Sequence, residues 1–345
     1  MPWNDTIVQK SLEKSFSTIQ EHLHLYEGKR ILITGGTGFL GSQLVLFFVN
    51  LAQKFQLQLK LQLLVRNPDK AHAMFGHISA VPLSIATSTE DFADEGTDYI
   101  FHGASITSSR FFVEKPVDTI QTAVLLTNSL LEYALRTQAR MVYLSSMEAF
   151  GEVTQDKLLR ENDYGYIDIL APRSSYPESK RMCECLCAAF ATQYGLQVSI
   201  ARLCQTFGPG IDYNDTRIMA EFCRCAIEQR DIVLKTDGSS TRNCCCSCDA
   251  IAALVLLACR GEAGTAYNVA HPDMCMSIRE TAEFICSQYP QVHLRFETEG
   301  SHYYPPTTKL RLDTSRLQNL GWKPTTNMSD MFALAIESMR ASKRS

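Results

Sequence analysis

The chain has 345 residues, 45% of them hydrophobic and 20% charged, which is the composition of a globular rather than a disordered protein. This length is sufficient for one large α/β unit with an appended lobe, or for two domains. A formal net charge of −4 gives no reason to expect a nucleic acid or an anionic membrane as partner. The longest apolar run, residues 250–259, is too short to span a bilayer, and the N-terminus lacks the apolar region of a signal peptide, so we expect a cytoplasmic protein.

Strand-like and helix-like segments alternate along most of the chain. Residues 1–28 are predicted to form an amphipathic helical extension, because apolar residues recur there near helical spacing. The predicted strands are 30–34, 59–65, 78–85, 98–103, 140–145 and 197–203, and the predicted helices are 39–54, 117–136 and 177–194. This alternation predicts an α/β fold with a Rossmann-like, doubly wound parallel sheet over residues 29–203. A smaller C-terminal lobe is predicted over 204–345, from which residues 243–260 return to the main sheet as a strand and a helix.

The most informative motif joins the first predicted strand to the first predicted helix. Residues 31–41 place Gly35, Gly38 and Gly41 between two apolar runs. Glycine permits a tight turn there and lets backbone N–H groups approach a pyrophosphate closely, while the following helix directs its positive dipole end at the anion. Because the strand precedes the glycines and the helix follows them, the motif predicts dinucleotide binding.

Near the end of strand 140–145, two serines are followed by a carboxylate. Ser146 is a candidate to hydrogen-bond a reacting hydroxyl, and Glu148 is a candidate to exchange protons on a neighbouring carbon. The alternative interpretations are a cap at the strand end for Ser145 and Ser146, and a solvated loop carboxylate for Glu148.

Tyr176 and Lys180 are spaced one turn apart at the start of a predicted helix, where Pro177 suits the first turn. A tyrosine in a model peptide has a pKa of about 10, and a nearby ammonium lowers that pKa. The pair can then take the proton of an alcohol while a hydride leaves the same carbon. The same spacing, taken alone, is equally typical of a surface helix.

The 13 cysteines all lie at or beyond Cys183. Their odd number in a long chain argues against a disulfide framework. Clusters at 183–187 and 244–248 lack the paired spacing of a structural zinc site, and neighbouring side chains within each cluster point to different sides. We interpret these cysteines as small buried hydrophobic residues and predict no metal site.

Together these motifs resemble the extended short-chain dehydrogenase/reductases, and within them the NAD-dependent epimerase/dehydratase family that acts on nucleotide sugars. The likeness covers residues 29–335 and is strengthened by the segments 98–105, 202–210 and 241–243. It implies a dinucleotide-binding domain, a substrate-binding C-terminal lobe and a homodimer formed through helices 117–136 and 177–194. It also implies the following catalytic residues: Ser146, Glu148, Tyr176 and Lys180.

The resemblance also implies ligand contacts. Those expected to touch the cofactor are Gly35, Gly38, Phe39, Leu40, Gly41, Arg66, His102, Ala104, Tyr176 and Lys180. Those expected to touch the nucleotide-sugar substrate are Gln205, where the family usually has asparagine, Arg217, and Arg242, whose guanidinium fork suits a diphosphate. Arg66 replaces an acid that usually holds the ribose hydroxyls. An arginine can accommodate a 2′-phosphate or stack on adenine, so both NAD and NADP remain candidates.

The segments 175–181, 205–209 and 214–217 are similar to those of UDP-glucuronate decarboxylases, and Glu148 is placed as in sugar 4,6-dehydratases. The resemblance therefore implies oxidation of the sugar C4 hydroxyl by bound NAD(P), followed by dehydration or decarboxylation. The alternatives are a nucleotide-sugar 4-epimerase, an NADPH-dependent reductase favoured by Arg66, and a non-catalytic dinucleotide-binding protein.

Overall fold

Helices and strands alternate through residues 5–92, 95–298 and 307–343, which are the residues that the computed structural model describes. The strands are β1 (Arg30–Thr34), β2 (Lys60–Leu64), β3 (Leu83–Ala86), β4 (Tyr99–His102), β5 (Arg140–Ser146), β6 (Leu158–Leu159), β7 (Val198–Leu203), β8 (Gln205–Phe207), β9 (Ile232–Leu234), β10 (Thr241–Cys246), β11 (Ala266–Val269), β12 (Cys275–Ser277), β13 (Leu294–Phe296) and β14 (Lys309–Leu312). The helices are α1 (Thr6–Thr18), α2 (Phe39–Phe55), α3 (Pro68–Phe75), α4 (Ser109–Glu114), α5 (Pro116–Thr137), α6 (Ser175–Tyr194), α7 (Ile218–Glu228), α8 (Ser247–Arg260), α9 (Ile278–Gln288), α10 (Ser315–Gln318) and α11 (Met328–Lys343). No helix in these ranges is long and apolar enough to cross a lipid bilayer.

Seven of the described strands form one parallel sheet in the order β11-β7-β5-β4-β1-β2-β3. The strand order reverses between β1 and β4, and ligands of such sheets bind outside the carboxyl ends of the strands at this switch point. The predicted α/β fold with a Rossmann-like parallel sheet is confirmed.

Helices cover both faces of this sheet because its strands carry apolar side chains on both. On one face, α5 and α6 pack their buried residues, including Leu130 and Cys183, against Tyr143 and Ile200 of the sheet. On the other, α1, α2 and α8 contribute a larger apolar core that contains Phe47. Near-continuous hydrophobic strands are what a sheet covered on two sides requires.

The third predicted strand begins later than expected. The prediction placed it at 78–85, whereas β3 starts at Leu83. Ile78 instead closes the end of α3, since its N–H donates to the Phe75 carbonyl at 2.9 Å. Pro82, which lacks an N–H donor, follows before the strand begins, so ladder pairing starts only after it.

The expectation for residues 243–260 is half wrong. Strand β10 does not join the main sheet: it lies in a second, smaller sheet, where it pairs with β8, β12 and β14. The edge of the main sheet next to β7 is instead occupied by β11. Helix α8 does pack against the main sheet, as expected, because nearly all of its side chains are buried there.

The described part of the N-terminal extension is helical and belongs to the core. Helix α1 is capped by Asp5, whose carboxylate accepts the Ile7 N–H at 2.9 Å. A short 3₁₀ helix, Gln20–Tyr26, follows. The Ser15 and Tyr26 hydroxyls donate to carbonyls of α8 at 2.8 and 2.9 Å, so the extension covers the apolar surface of α8. The division of the chain into domains stays a prediction.

Candidate active site

The glycine turn after β1 is closed by backbone contacts that leave no room for side chains. Gly35 has a φ of 70°, and a Cβ there would lie 2.9 Å from the Ala104 nitrogen. A Cβ on Gly41, in the first turn of α2, would lie 2.0 Å from the Gly35 carbonyl oxygen. Gly38 precedes the helix and donates its N–H to the same oxygen at 2.9 Å. The first-turn amides of α2, next to half-buried Phe39 and Leu40, therefore meet the carboxyl edge of the sheet.

His102 lies beneath this turn rather than in the crevice. Its Nδ1 is 2.8 Å from the Thr34 hydroxyl and its Nε2 is 3.0 Å from the Thr127 hydroxyl, so both ring nitrogens have protein partners. Thr34 in turn accepts the Ala104 N–H at 3.0 Å. Burial lowers the pKa of His102 to about 3, which leaves the ring neutral. The His102 side chain therefore fixes Thr34 and, through it, Ala104, and its expected contact with the cofactor stays a prediction.

Strand β5 and helix α6 bring the predicted catalytic residues together. Ser146 ends β5, and its hydroxyl accepts the Glu148 N–H at 3.2 Å. Tyr176 and Lys180 are both buried in the first turns of α6. The Tyr176 ring stacks on Phe112 of α4, with centroids 4.3 Å apart and planes 10° from parallel. Ser146, Tyr176 and Lys180 thus meet at the carboxyl edge of the sheet.

Lys180 is held by β5. Its Nζ donates to the Leu144 carbonyl at 2.8 Å and lies 4.8 Å from the centroid of the Tyr143 ring. The centroid of the Tyr176 ring is 5.7 Å away. Burial lowers the pKa of Lys180 to about 8.

The expectation that Lys180 lowers the pKa of Tyr176 is wrong in this structure. Burial raises the pKa of Tyr176 well above its ordinary value, and the Glu148 carboxylate adds to the rise. The groups that oppose it are Ser146, Arg173 and Arg217. The physical reason is that desolvation of the phenol outweighs the nearby positive charge, since removing water penalises the phenolate.

Glu148 is paired rather than solvated. Its carboxylate accepts a hydrogen bond from Arg173 at 2.8 Å, and the Arg173 guanidinium lies 4.9 Å from the centroid of the Phe112 ring. Arg173, Phe112 and Tyr176 therefore form a continuous stack beside Glu148. The sequence prediction omitted both Arg173 and Phe112. Arg173 lies one turn before Tyr176, so its proximity to the site could have been predicted from the spacing. Nothing in the sequence indicated that Phe112 would stack on Tyr176.

The second sheet contributes two side chains near the catalytic candidates that have no hydrogen-bond partner among the described residues for a buried polar atom. The Arg242 side chain of β10 makes no hydrogen bond or ion pair within the described ranges, and its Nε is buried. Burial lowers the pKa of Arg242, while Glu148 opposes that effect. The Gln205 side-chain oxygen of β8 is also buried without a partner. Unpaired buried polar atoms are costly unless a ligand completes them.

Two further predicted contact residues lie at the rim. Arg217 is exposed and forms a bidentate ion pair with Asp215, at 3.0 and 2.8 Å, while its guanidinium lies 5.5 Å from the centroid of the Phe39 ring at the glycine turn. Its charge is thus already shared with a carboxylate. Arg66 is exposed just beyond the end of β2 and has no ion pair among the described residues.

The cysteines are free thiols, and most are buried, including Cys244, Cys245 and Cys246 on β10. Cys246, Cys248 and Asp249 place possible ligand atoms within 4.8 Å of one another. The Asp249 carboxylate, however, accepts hydrogen bonds from the backbone N–H groups of Thr325 and Thr326 at 2.9 and 3.1 Å. Both carboxylate oxygens are therefore used in anchoring the segment before α11, which favours the structural interpretation of this cluster.

Comparison with known proteins adds to this geometry. The family model described as the NAD dependent epimerase/dehydratase family matches residues 31–270, a range that runs from β1 to just beyond β11. The chain belongs to this family. The match contains the glycine turn, the predicted catalytic residues and Arg242, so the resemblance inferred from the motifs is confirmed.

Curated relatives and solved structures extend the match over most of the chain. UDP-glucuronic acid decarboxylase 6 of Arabidopsis thaliana is 28% identical over 316 residues, which are 90% of this chain and 89% of the relative. UDP-N-acetyl-alpha-D-glucosaminuronate decarboxylase of Bacillus cytotoxicus is 28% identical over 300 residues, 85% of this chain and 91% of the relative. The fold is similar to that of DesIV, a dTDP-glucose 4,6-dehydratase of Streptomyces venezuelae solved with NAD, at a TM-score of 0.75 and 22% identity, covering 91% and 98% of the two chains.

Proposed function

We propose that this protein oxidises the C4 hydroxyl of a nucleotide-linked uronic acid with a bound nicotinamide dinucleotide and then releases carbon dioxide. The observation that carries the proposal is the meeting of Ser146, Tyr176 and Lys180 at the carboxyl edge of the sheet, near Arg242, whose side chain has no partner among the described residues. Dehydration of a neutral nucleotide sugar is the second candidate, because Glu148 lies within the same cluster.

The residues at the crevice fit a dinucleotide. Gly35 and Gly41 leave no space for side chains at the turn, so backbone amides at the start of α2 are accessible to a pyrophosphate. Gly38, Phe39, Leu40 and Ala104 border the same turn. Lys180 donates one of its three N–H bonds to Leu144, which leaves donors for ribose hydroxyls. When bound, the nicotinamide supplies a hydride acceptor.

Tyr176 is the proposed base for the C4 hydroxyl. Its phenol must lose a proton, and Ser146, Arg173 and Arg217 favour the phenolate. Ser146, whose hydroxyl lies beside the phenol, is the proposed hydrogen-bond partner of the same sugar oxygen. The ion pair with Arg173 shares the Glu148 charge, which limits its opposition to the phenolate.

Decarboxylation follows from the chemistry of the oxidised sugar. A ketone at C4 is adjacent to the C5 carbon that bears the carboxylate, so the C5–carboxylate bond can break with its electrons accepted by the C4 oxygen. Arg242 and Arg173 supply positive charge for a substrate with a diphosphate and a carboxylate. The two decarboxylase relatives support this choice over dehydration.

The choice of dinucleotide depends on Arg66. This guanidinium is exposed just beyond the end of β2 and has no ion pair among the described residues, so it would be able to hold a 2′-phosphate. This favours NADP, whereas the NAD in the DesIV structure favours NAD. We therefore propose that the crevice accepts both, and a strict requirement for either one in a binding titration would contradict this.

The proposed function is tested by incubating the protein with UDP-glucuronate and NAD or NADP and analysing the products by mass spectrometry. Loss of carbon dioxide supports decarboxylation, loss of water supports dehydration, and an isomer of unchanged mass supports epimerisation. Tyr176→Phe is expected to reduce kcat by about 10²- to 10⁴-fold, the usual contribution of a general base. Tyr194→Phe, an exposed phenol at the far end of α6, is the matched control.

A homodimer is also proposed. Exposed apolar side chains lie on α5 and α6, the two helices that the resemblance assigns to a four-helix contact: Val117 is 62% exposed, Leu125 is 65% and Met182 is 52%. A second copy would bury them. A monomer mass measured by light scattering would contradict this assembly.

A further inference from the structure

Lys180 is a buried cation with little protein compensation. Within the described residues its ammonium forms no ion pair, and its hydrogen bond to the Leu144 carbonyl is 2.8 Å long. Burying an ammonium without a carboxylate partner is costly, and such a group tends to lose its proton. Some other feature of the site must therefore favour the charged form.

Among the titratable groups around Lys180, the Glu184 carboxylate raises the Lys180 pKa, but it is not within ion-pair distance and its charge is shared with other partners. These titratable groups come from α6 itself and from β4 and β5, and they are Tyr176, Cys183, Glu184, Cys187, His102 and Tyr143. The Glu184 carboxylate is shared with Arg202, at 2.6 Å, and with Ser145, at 2.5 Å. Burial raises the pKa of the Cys187 thiol, which therefore stays protonated.

The ring of Tyr143 lies closer to this ammonium than the ring of Tyr176 does. The Lys180 Nζ lies 4.8 Å from its centroid, inside the range of a cation–π interaction, and Tyr143 is only 2% exposed. Such interactions are strongest where water is excluded. His102 is also near the Tyr143 ring, with centroids 5.5 Å apart. Burial lowers the pKa of His102 to about 3, so it does not compete as a cation.

The phenol oxygen of Tyr143 has no hydrogen-bond partner among the described residues. A buried hydroxyl without a partner costs stability. Burial raises the pKa of this phenol well above its ordinary value, and the nearby Cys183 thiol adds to the rise, so the hydroxyl stays protonated and the ring face remains neutral.

We propose that Tyr143 is a positioning residue: its ring face keeps the Lys180 ammonium charged and fixed between β5 and Tyr176. The catalytic consequence depends on the proposed function, in which charged Lys180 binds the cofactor ribose. The contact between ring and ammonium does not depend on it.

The test changes the electrostatics of the ring without changing its shape. Tyr143→Phe removes only the hydroxyl and is expected to leave the Lys180 pKa unchanged. Replacing that phenylalanine by difluoro- and then trifluorophenylalanine weakens the negative potential of the ring face. We expect the Lys180 pKa to fall stepwise, by about one pH unit in total, and the high-pH limb of kcat to move down with it.

Two measurements separate this proposal from the proposed function. Carbon-13 NMR of labelled lysine side chains, with the resonance assigned by Lys180→Met, gives the Lys180 pKa without any turnover. A pKa that falls along the fluorinated series supports the contact, and a pKa that does not respond overturns it. If the pKa falls while no variant, including the unmodified protein, converts a nucleotide sugar, the contact is supported and the proposed function is overturned.

Discussion

Two regions of the candidate site are built in opposite ways. Around the glycine turn, Gly35, Thr34 and His102 are bonded to one another or to nearby backbone, and the shape of the crevice follows from these contacts. On the side of the second sheet, Arg242 and Gln205 carry buried polar atoms that no described residue satisfies. The side chains of the first region are bonded to the protein without a ligand, whereas the second region has buried side-chain atoms whose bonding capacity is left for a ligand.

This difference predicts different responses to substitution. In the first region, a change that disturbs the shape should reduce stability and cofactor binding together, because the same contacts serve both. In the second region, removal of an unpaired polar group should reduce substrate binding without reducing stability, since the group costs free energy in the folded protein.

The largest effect is expected from Gly41→Ala. The added Cβ would lie 2.0 Å from the Gly35 carbonyl oxygen and 2.6 Å from its carbon, and both are backbone atoms that cannot rotate away. Helix α2 must therefore shift against β1. We expect a lower Tm and loss of measurable dinucleotide binding, as determined by thermal unfolding and by calorimetry.

Gly38→Ala is the milder comparison for this prediction, at a neighbouring glycine that is also expected to contact the cofactor. Its Cβ would meet the same oxygen at 3.2 Å, a distance that a small adjustment relieves, and its φ of −92° suits any residue. If Gly41→Ala binds dinucleotide as well as Gly38→Ala, the turn is not the closed structure described above.

An intermediate effect is expected from Arg242→Met, which keeps the length of the side chain and removes its charge. Loss of a charge-assisted contact is expected to raise the KM for the nucleotide sugar by about 10- to 100-fold. The Tm should stay the same or rise, because an unpaired guanidinium leaves a partly buried site. Steady-state kinetics and thermal unfolding measure the two effects.

Arg110→Met serves as the control, since Arg110 is 80% exposed and pairs with Glu114 on the surface of α4. It should change neither KM nor Tm appreciably. A marked fall in Tm of Arg242→Met at an unchanged KM would show that Arg242 belongs to the structure rather than to the substrate site.

The same contrast explains what the sequence could predict. The glycine turn and the spacing of Tyr176 and Lys180 depend on neighbouring residues, and the strand and helix around them define their surroundings. The stacking of Phe112 on Tyr176 and the pairing of β10 depend on segments far apart in the chain. The direction of the Tyr176 pKa was missed for the same reason, since its burial arises from tertiary packing.

The effect that is smallest at neutral pH concerns the protonation of His102. The ordinary pKa of 6.5 falls to about 3 in the folded protein because the ring is buried. Above pH 6.5 the imidazole is neutral in both states and does not affect stability. Below pH 6.5 the imidazole binds a proton in the unfolded chain but not in the folded protein. The free energy of unfolding therefore decreases as the pH falls towards 3, by up to about 1.4 kcal/mol per pH unit.

His102→Gln retains hydrogen-bonding groups near Thr34 and Thr127 but cannot be protonated in this range. The free energy of unfolding is measured by urea titration between about pH 7 and about pH 4.5, a range that spans the ordinary histidine pKa. It should fall less steeply with decreasing pH for this variant than for the unmodified protein. His72→Gln, at an exposed position on α3, should leave the slope unchanged. Equal slopes for all three proteins would mean that His102 is accessible to protons, and the region around the glycine turn would then be less closed than the region around Arg242.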